Sequence, residues 1–247
     1  MQRRQRFTSV WAREAARRRE VRNPSGLSRE QIVREAVALL DAEGADALSM
    51  RRLAARLGSG ATSLYWYVAN KDELLELAAD EVLAEVARLV THPDTHGAHW
   101  RELGSRYAYG LREVILRHPW LGRQVGVRPL IGPNALAVNA RLCEAFAKAG
   151  FRGRDVDYAV GAITAFALGT ALPEAAWRNG LARLGIPEEE WEKQVRADME
   201  LSAERYPELL RLSAEWMACE NPSVARRIAF DFGLVSLLDG LEARLRP

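Results

Sequence analysis

The chain has very little cysteine. Only Cys143 and Cys219 occur in 247 residues, and they form no Cys-x-x-Cys pair. That pattern argues against a disulfide framework or a thiolate metal site and fits small buried hydrophobes in a reducing compartment. Glycine and proline are also sparse, at 18 and 10, and most of them fall between periodic segments, where they end helices rather than interrupt them. No uninterrupted apolar run reaches the length needed to cross a bilayer. The Arg-rich start is not followed by the apolar stretch of a secretory signal. A soluble, cytoplasmic protein with no membrane partner is therefore expected. The glycine-rich nucleotide loops, the nucleophile elbow and the His-Glu-x-x-His zinc pair are all missing, so neither catalysis nor a cofactor is expected. The acidic pair Glu188-Glu189 reads instead as a helix N-terminus. No β-type alternation and no internal repeat is present, which leaves an all-α fold.

What the chain does have is length for two domains and an uneven charge. Residues 1–71 carry 14 Arg or Lys against 7 Asp or Glu, a net +7, whereas the whole chain carries only +2. The remainder is thus acidic, at −5. A basic front and an acidic rear suggest that only the front meets a polyanion. The charge is densest in an arm at residues 1–26, with Arg13, Arg17, Arg18, Arg19 and Arg22 ahead of the turn Asn23-Pro24-Ser25-Gly26. Much of this arm is expected to be disordered without DNA. It reads either as a supplier of phosphate or minor-groove contacts or as a solvated tail, and the excess of arginine favours an electrostatic role.

Behind the arm the helix signals are clear. Ser28 and Gln31 make a capping box, flanked by Leu27 and Ile32 as a hydrophobic staple. Ile32, Ala36, Leu39 and Leu40 share one face, and Gly44 supplies the stop. A second helix runs from Ser49 through Leu57, and Gly58-Ser59-Gly60 breaks it. A short third helix covers about Ala61 to Tyr67. Asn70 caps a long fourth helix whose apolar stripe runs through Leu74, Val82, Val86 and Val90. Further helices are predicted at 99–118, 133–149, 155–179, 187–199, 203–219 and 222–245.

Residues 49–67, two helices about a glycine break, have the form of a helix-turn-helix, in which the second helix enters the major groove. Thr62, Tyr65 and Tyr67 would then offer hydroxyls to base edges, and Ala61 would meet a thymine methyl. Lys71 sits where its charge and the amides of the following helix would attract a phosphate. Arg51 reaches either a phosphate or a guanine. The periodicity fits equally well an ordinary helical hairpin with its tyrosines half buried in packing.

The strings Leu57-Gly58, Leu64-Tyr65-Trp66-Tyr67-Val68 and Asn70-Lys71-Asp72-Glu73-Leu74-Leu75 resemble the DNA-binding domain of the TetR family of bacterial repressors, most of all its tetracycline-repressor branch. The resemblance implies DNA contacts from Arg51, Thr62, Tyr65, Tyr67 and Lys71, with Leu53, Leu57, Leu64, Trp66 and Val68 as core. It also implies three units: the arm 1–26, a helix-turn-helix domain with its connecting helix at 27–90, and a ligand-sensing and dimerisation domain at 91–247. Ala61-Thr62 and Tyr67 replace a Gln-Pro pair and a histidine of the tetracycline repressors, so operator sequence does not carry over.

The C-terminal part is similar to the same branch through Leu116-Arg117-His118-Pro119, Arg128-Pro129 and Phe230-Asp231-Phe232-Gly233-Leu234. That implies a homodimer in which helices 155–179 and 222–245 pair with their mates in a four-helix bundle. Ala159, Ala162, Ala165, Phe166 and Gly169, and the stripe Phe230, Leu234, Leu237, Leu238 and Leu241, have the character this requires, although an intramolecular core would look the same. Candidate effector-lining residues are Trp100, Tyr107, Leu111, Val125, Phe146, Phe166, Trp177 and Met217; aromatics at helical spacing are as readily plain core. Val125 stands where the tetracycline repressors carry a metal-holding histidine, so no metal is expected and the effector is expected to be apolar or aromatic. His92, Asp94, His96 and His99 read as a polar loop rather than a metal site. The functional expectation is a ligand-released repressor of a palindromic operator; an activator of the same fold and a helical interaction protein without DNA binding are the alternatives.

Overall fold

The computed structural model describes residues 10–11, 27–126, 130–201, 205–208, 211 and 222–245. Met217, Arg128-Pro129, most of the helix expected at 203–219 and most of the basic arm lie outside them. The described elements are helical throughout. Helix α1 (Arg29–Glu43), α2 (Met50–Arg56) and the one-turn α3 (Ala61–Leu64) precede the long α4 (Lys71–Thr91). Then come α5 (Trp100–Arg117), α6 (Pro133–Ala149), α7 (Arg154–Leu184), α8 (Glu188–Glu200) and α9 (Pro222–Ala243). Helix α7 continues past the end expected at 179, carrying Pro173 in its interior, and stops at Gly185, whose φ of 66° is left-handed.

Local chemistry sets the helix starts. The Ser28 hydroxyl accepts from the Gln31 amide at 3.1 Å, and the Gln31 side chain accepts from the Ser28 amide at 2.8 Å. Ser49 caps α2 in the same way through the Arg52 amide. Asn70 caps α4 through the Glu73 amide, but Glu73 reaches back one residue further, to the Ala69 amide. Between α2 and α3, Gly58 takes φ 61°, a region open to glycine and costly for other residues.

The core is continuous. Ile32, Leu39, Leu53, Leu64, Val68 and Leu74 close the N-terminal unit, and Trp100, Leu103, Ile115, Phe146 and Ile163 fill the C-terminal one. The Trp100 ring meets Phe146 and Phe151 edge-on at 5.2 and 5.4 Å. Helix α4 belongs to both halves, packing on α1 on one side and on α5 and α6 on the other. Helix α7 is long and apolar enough by composition to cross a membrane, with 39% of its most apolar stretch buried; it packs on α5, α6 and α9.

Two polar junctions fix α4 and α1 to the rest. The buried Asp80 carboxylate on α4 accepts from the backbone amides of Asn134 at 3.2 Å and Ala135 at 3.0 Å, capping α6 from another helix. A Cβ added at Gly132 would lie 2.2 Å from that carboxylate. Gly132→Ala should therefore cost about 2 kcal/mol through forced repacking, read as a lowered urea midpoint; an unchanged midpoint would show that the Asp80 cap yields easily.

At the second junction the Asp41 carboxylate of α1 holds the His118 Nδ1 and the Trp120 indole N–H, both at 2.7 Å. Nearby, Arg123 reaches Asp46 at 2.9 Å. Burial alone would lower the His118 pKa, but hydrogen bonding and charge from Asp41, then Glu85, outweigh it and raise the value above 6.5. Protonation thus favours the folded state. The gain is complete below the unfolded value and is lost as pH rises through the raised one. The margin in melting temperature of the wild type over His118→Asn should shrink as pH rises past neutrality. A constant margin would mean that the imidazole does not titrate in this window.

Of the arm, the described residues are Val10 and Trp11. Val10 is 1% exposed, its amide donates to Glu76 on α4 at 3.1 Å, and Trp11 packs against the core beside it. At this pair the arm is held against α4.

Candidate functional site

The helix-turn-helix places its chemistry on two sides. Leu53, Leu64 and Val68 are fully buried, so α2 and α3 turn their other faces outward. Arg51 and Thr62 are exposed, and Tyr65 is 51% exposed. Ala61 is half buried against the core. Tyr67 and Lys71 are held differently from the other candidates. The Tyr67 hydroxyl donates to the Leu27 carbonyl at the start of α1, and the Lys71 ammonium donates to the Ala45 carbonyl at 2.8 Å. Both polar tips serve the fold of the N-terminal unit, although the ammonium keeps two further protons for an anion.

Trp66, expected in the core, is instead 73% exposed. The buried pair is Leu64 and Val68, one helical turn apart; a residue halfway between them points to the opposite side. Its exposure was readable from that spacing and adds a large apolar ring beside Tyr65. Arg52 and Arg56 also lie outside the expected set, and each is paired, to Glu43 and Glu35 respectively.

The second feature is an apolar cavity of about 230 Å³ in the C-terminal half. Leu83 and Val86 of α4 form one wall, Tyr107, Leu111 and Ile115 of α5 another, and Val138 and Leu142 of α6, with Val160, Thr164 and Leu168 of α7, close it. Val125 and Leu130 come from the segment between α5 and α6. Of the expected lining residues, Tyr107, Leu111 and Val125 are present.

Trp100, Phe146, Phe166 and Trp177 do not line this cavity. Trp100 and Phe146 stack in the core. Phe166 lies 5.2 Å from Phe230 and over Gly233, filling the space between α7 and α9. Trp177 stacks on Trp191 at 5.1 Å, with the Arg226 guanidinium 4.7 Å from its ring. Helical spacing identified their inward faces without telling core from cavity.

Polar groups in the cavity are few. The Tyr107 hydroxyl lies 3.0 Å from Thr164 Oγ1, and burial pushes the Tyr107 pKa up against the opposing effect of that bond. Asn139 sits at the exposed rim. No charged side chain lines the cavity among the described residues. The His92 and His99 imidazoles accept from the Asp94 and Arg101 amides, capping the short helix Pro93–Thr95 and α5.

A short helix with an outward polar and aromatic face, carried on a capped three-helix unit and continued into a cavity-bearing bundle, defines a helix-turn-helix transcriptional regulator with an appended helical domain. Residues 32–78 match the bacterial regulatory proteins of the tetR family, and residues 92–245 match the tetracyclin repressor-like C-terminal domain. The chain belongs to the TetR family of transcriptional regulators. It is 42% identical over 171 residues to an HTH-type transcriptional regulator of Saccharopolyspora erythraea, covering 69% of this chain and 70% of that one. It is 33% identical over 229 residues to the HTH-type transcriptional repressor DrrR1 of Streptomyces coeruleorubidus, covering 91% and 81%. The crystal structure of ActR from Streptomyces coelicolor in complex with actinorhodin aligns with a TM-score of 0.71 at 30% identity, covering 90% of this chain and 100% of that one.

Proposed function

We propose that this regulator is a cytoplasmic, non-enzymatic repressor that binds a palindromic operator as a homodimer and is released when a neutral, largely apolar or aromatic effector fills the cavity. The carrying observation is that one 21-residue helix, α4, serves both sites. Its N-terminal cap adjoins the recognition turn, and Leu83 and Val86, further along the same helix, form the cavity wall. At 1.5 Å per residue the helix spans about 30 Å, long enough to turn a small displacement at one end into a shift at the other. An effector that binds the DNA-incompetent geometry more tightly, typically by about 1–3 kcal/mol, would shift the population.

The homodimer is supported by an uncovered face. Ile228, Phe232 and Val235 on α9 are exposed along one stripe, with Phe232 at 76%. On α7, Tyr158, Gly161, Ala165 and Gly169 are exposed at helical spacing, and added Cβ atoms at both glycines would meet open space. This is a different stripe from the one expected: Phe230, Leu234, Leu238 and Leu241 are buried within the protomer, and their neighbours on the far side of α9 are left for a mate. Two recognition helices about 34–36 Å apart would then address successive major grooves.

Selection of duplexes from a random pool should enrich an inverted repeat, and enrichment of an asymmetric sequence, or of none, would defeat the reading. Replacing Arg17, Arg18 and Arg19 together by alanine leaves the Val10–Trp11 anchor in place and should weaken that duplex binding. The log–log salt slope should fall by roughly 0.9 for each phosphate no longer neutralised. An unchanged slope would assign these arginines to a solvated tail.

A further inference from the structure

The cavity has a hydrogen-bond direction, and the direction specifies the effector's chemistry. Two hydroxyl protons must be placed, those of Tyr107 and Thr164. Thr164 Oγ1 lies 2.8 Å from the Val160 carbonyl and donates to it. The carbonyl can only accept. Tyr107 lies 3.0 Å from the same Thr164 oxygen. If Thr164 turned its proton to Tyr107, the phenolic proton would have no protein acceptor here, at the cost of an unmade bond in an apolar surrounding. Among the described residues, only the order Tyr107 to Thr164 to Val160 gives both protons an acceptor. The phenolic oxygen then faces the cavity with its lone pairs alone.

From this geometry we infer that the cavity selects a neutral aromatic ligand carrying a hydroxyl that donates to Tyr107, with Thr164 as the residue that sets this polarity. The inference rests on the reading of the cavity as the effector site. Among the described residues the walls carry no charge that would repay the desolvation of a charged ligand, which favours a neutral one. The volume is about 230 Å³; an apolar cavity of about 150 Å³ takes a benzene ring, so two fused rings fit. A carbonyl or ether oxygen could bond Tyr107 only by drawing the phenolic proton away from Thr164, exchanging one hydrogen bond for another rather than adding one. A donor hydroxyl completes the chain at its open end.

The test uses the full-length protein and three probes of similar size, 2-naphthol, 1-tetralone and naphthalene, titrated by calorimetry. The wild type should bind 2-naphthol about 5- to 10-fold more tightly than either of the others, the ratio one net hydrogen bond provides. Tyr107→Phe should bring all three together. Thr164→Val keeps the shape but removes the acceptor, so the Tyr107 proton turns to the cavity; 1-tetralone should then gain affinity over naphthalene by a similar factor. Equal binding of 2-naphthol and 1-tetralone by the wild type would overturn the inference, as would a preference for 2-naphthol that survives in Tyr107→Phe. Leu111→Trp, or Val138→Phe if the first does not fold, fills the cavity. Probe binding that persists in the filled variant, or no binding of any probe to the wild type, would overturn the reading of the cavity itself. Loss of binding in the filled variant, with no donor preference in the wild type, would overturn the polarity alone.

Discussion

Alanine at Tyr65 should lower operator affinity by about two orders of magnitude while leaving the melting temperature nearly unchanged. The ring stands 51% exposed on the outward side of the recognition turn, and no hydrogen bond involves its hydroxyl among the described residues. Its loss therefore breaks no hydrogen bond among the described residues, and a surface change of this kind moves stability by about 0.5 kcal/mol at most. A base-edge interaction is worth about 1–3 kcal/mol, and in the proposed two-fold dimer it would be made twice. The neighbouring tyrosine supplies the control. The Tyr67 hydroxyl is bonded to the Leu27 carbonyl, so Tyr67→Phe should cost about 1 kcal/mol of stability and far less DNA affinity. Filter binding and thermal melting on the two variants would give opposite patterns. If Tyr65→Ala binds the selected duplex as tightly as the wild type, the recognition face has been placed on the wrong side of α3.

The contrast between these tyrosines shows how far sequence reasoning reaches. Ser28, Ser49, Asn70 and Gly44 act within a few residues of themselves, so the starts of α1, α2 and α4 and the end of α1 were legible from local chemistry. The glycine break between two helices supplied the form of the helix-turn-helix, and the family resemblance supplied Leu64 and Val68 as core but set the exposed Trp66 with them. What escaped depends on partners far along the chain. The Tyr67 hydroxyl finds a carbonyl 40 residues away, and Lys71 finds one 26 residues away; no spacing rule announces either. Phe166 and Trp100 have the same character in sequence as Tyr107, yet only Tyr107 meets a cavity. The deciding fact is which helix lies opposite, and that is a property of the assembled bundle. For the same reason, an apolar α9 with residues on both sides of the helix could not say which stripe closes the protomer and which stays open.

The largest loss of stability should come from a residue that touches neither DNA nor the cavity. Glu174, buried in α7, accepts from Arg112 of α5 at 2.6 Å and pairs with Arg178 at 2.7 Å and Arg226 of α9 at 3.2 Å. The Glu174 carboxylate thus ties three helices together, and Arg226 extends the network to a fourth through Glu188 at the start of α8. Two of the carboxylate's three partners are largely out of water, the Arg112 side chain at 10% and the Arg226 side chain at 18% exposed, whereas Arg178 is 40% exposed. Glu174→Ala leaves these cations near one another without their shared anion. Breaking a buried pair from one side typically costs about 3–5 kcal/mol, and denaturation in urea should show a loss in that range. The cost belongs to the stranded charge rather than to a bond of great intrinsic strength. The variant Glu174→Leu with Arg112→Met removes the stranded partner and supplies apolar volume, so it should regain much of the loss. A single-variant loss below about 1 kcal/mol, or a double variant no better than the single, would mean that water reaches Arg112 freely and that α5, α7, α8 and α9 are held by their apolar contacts alone.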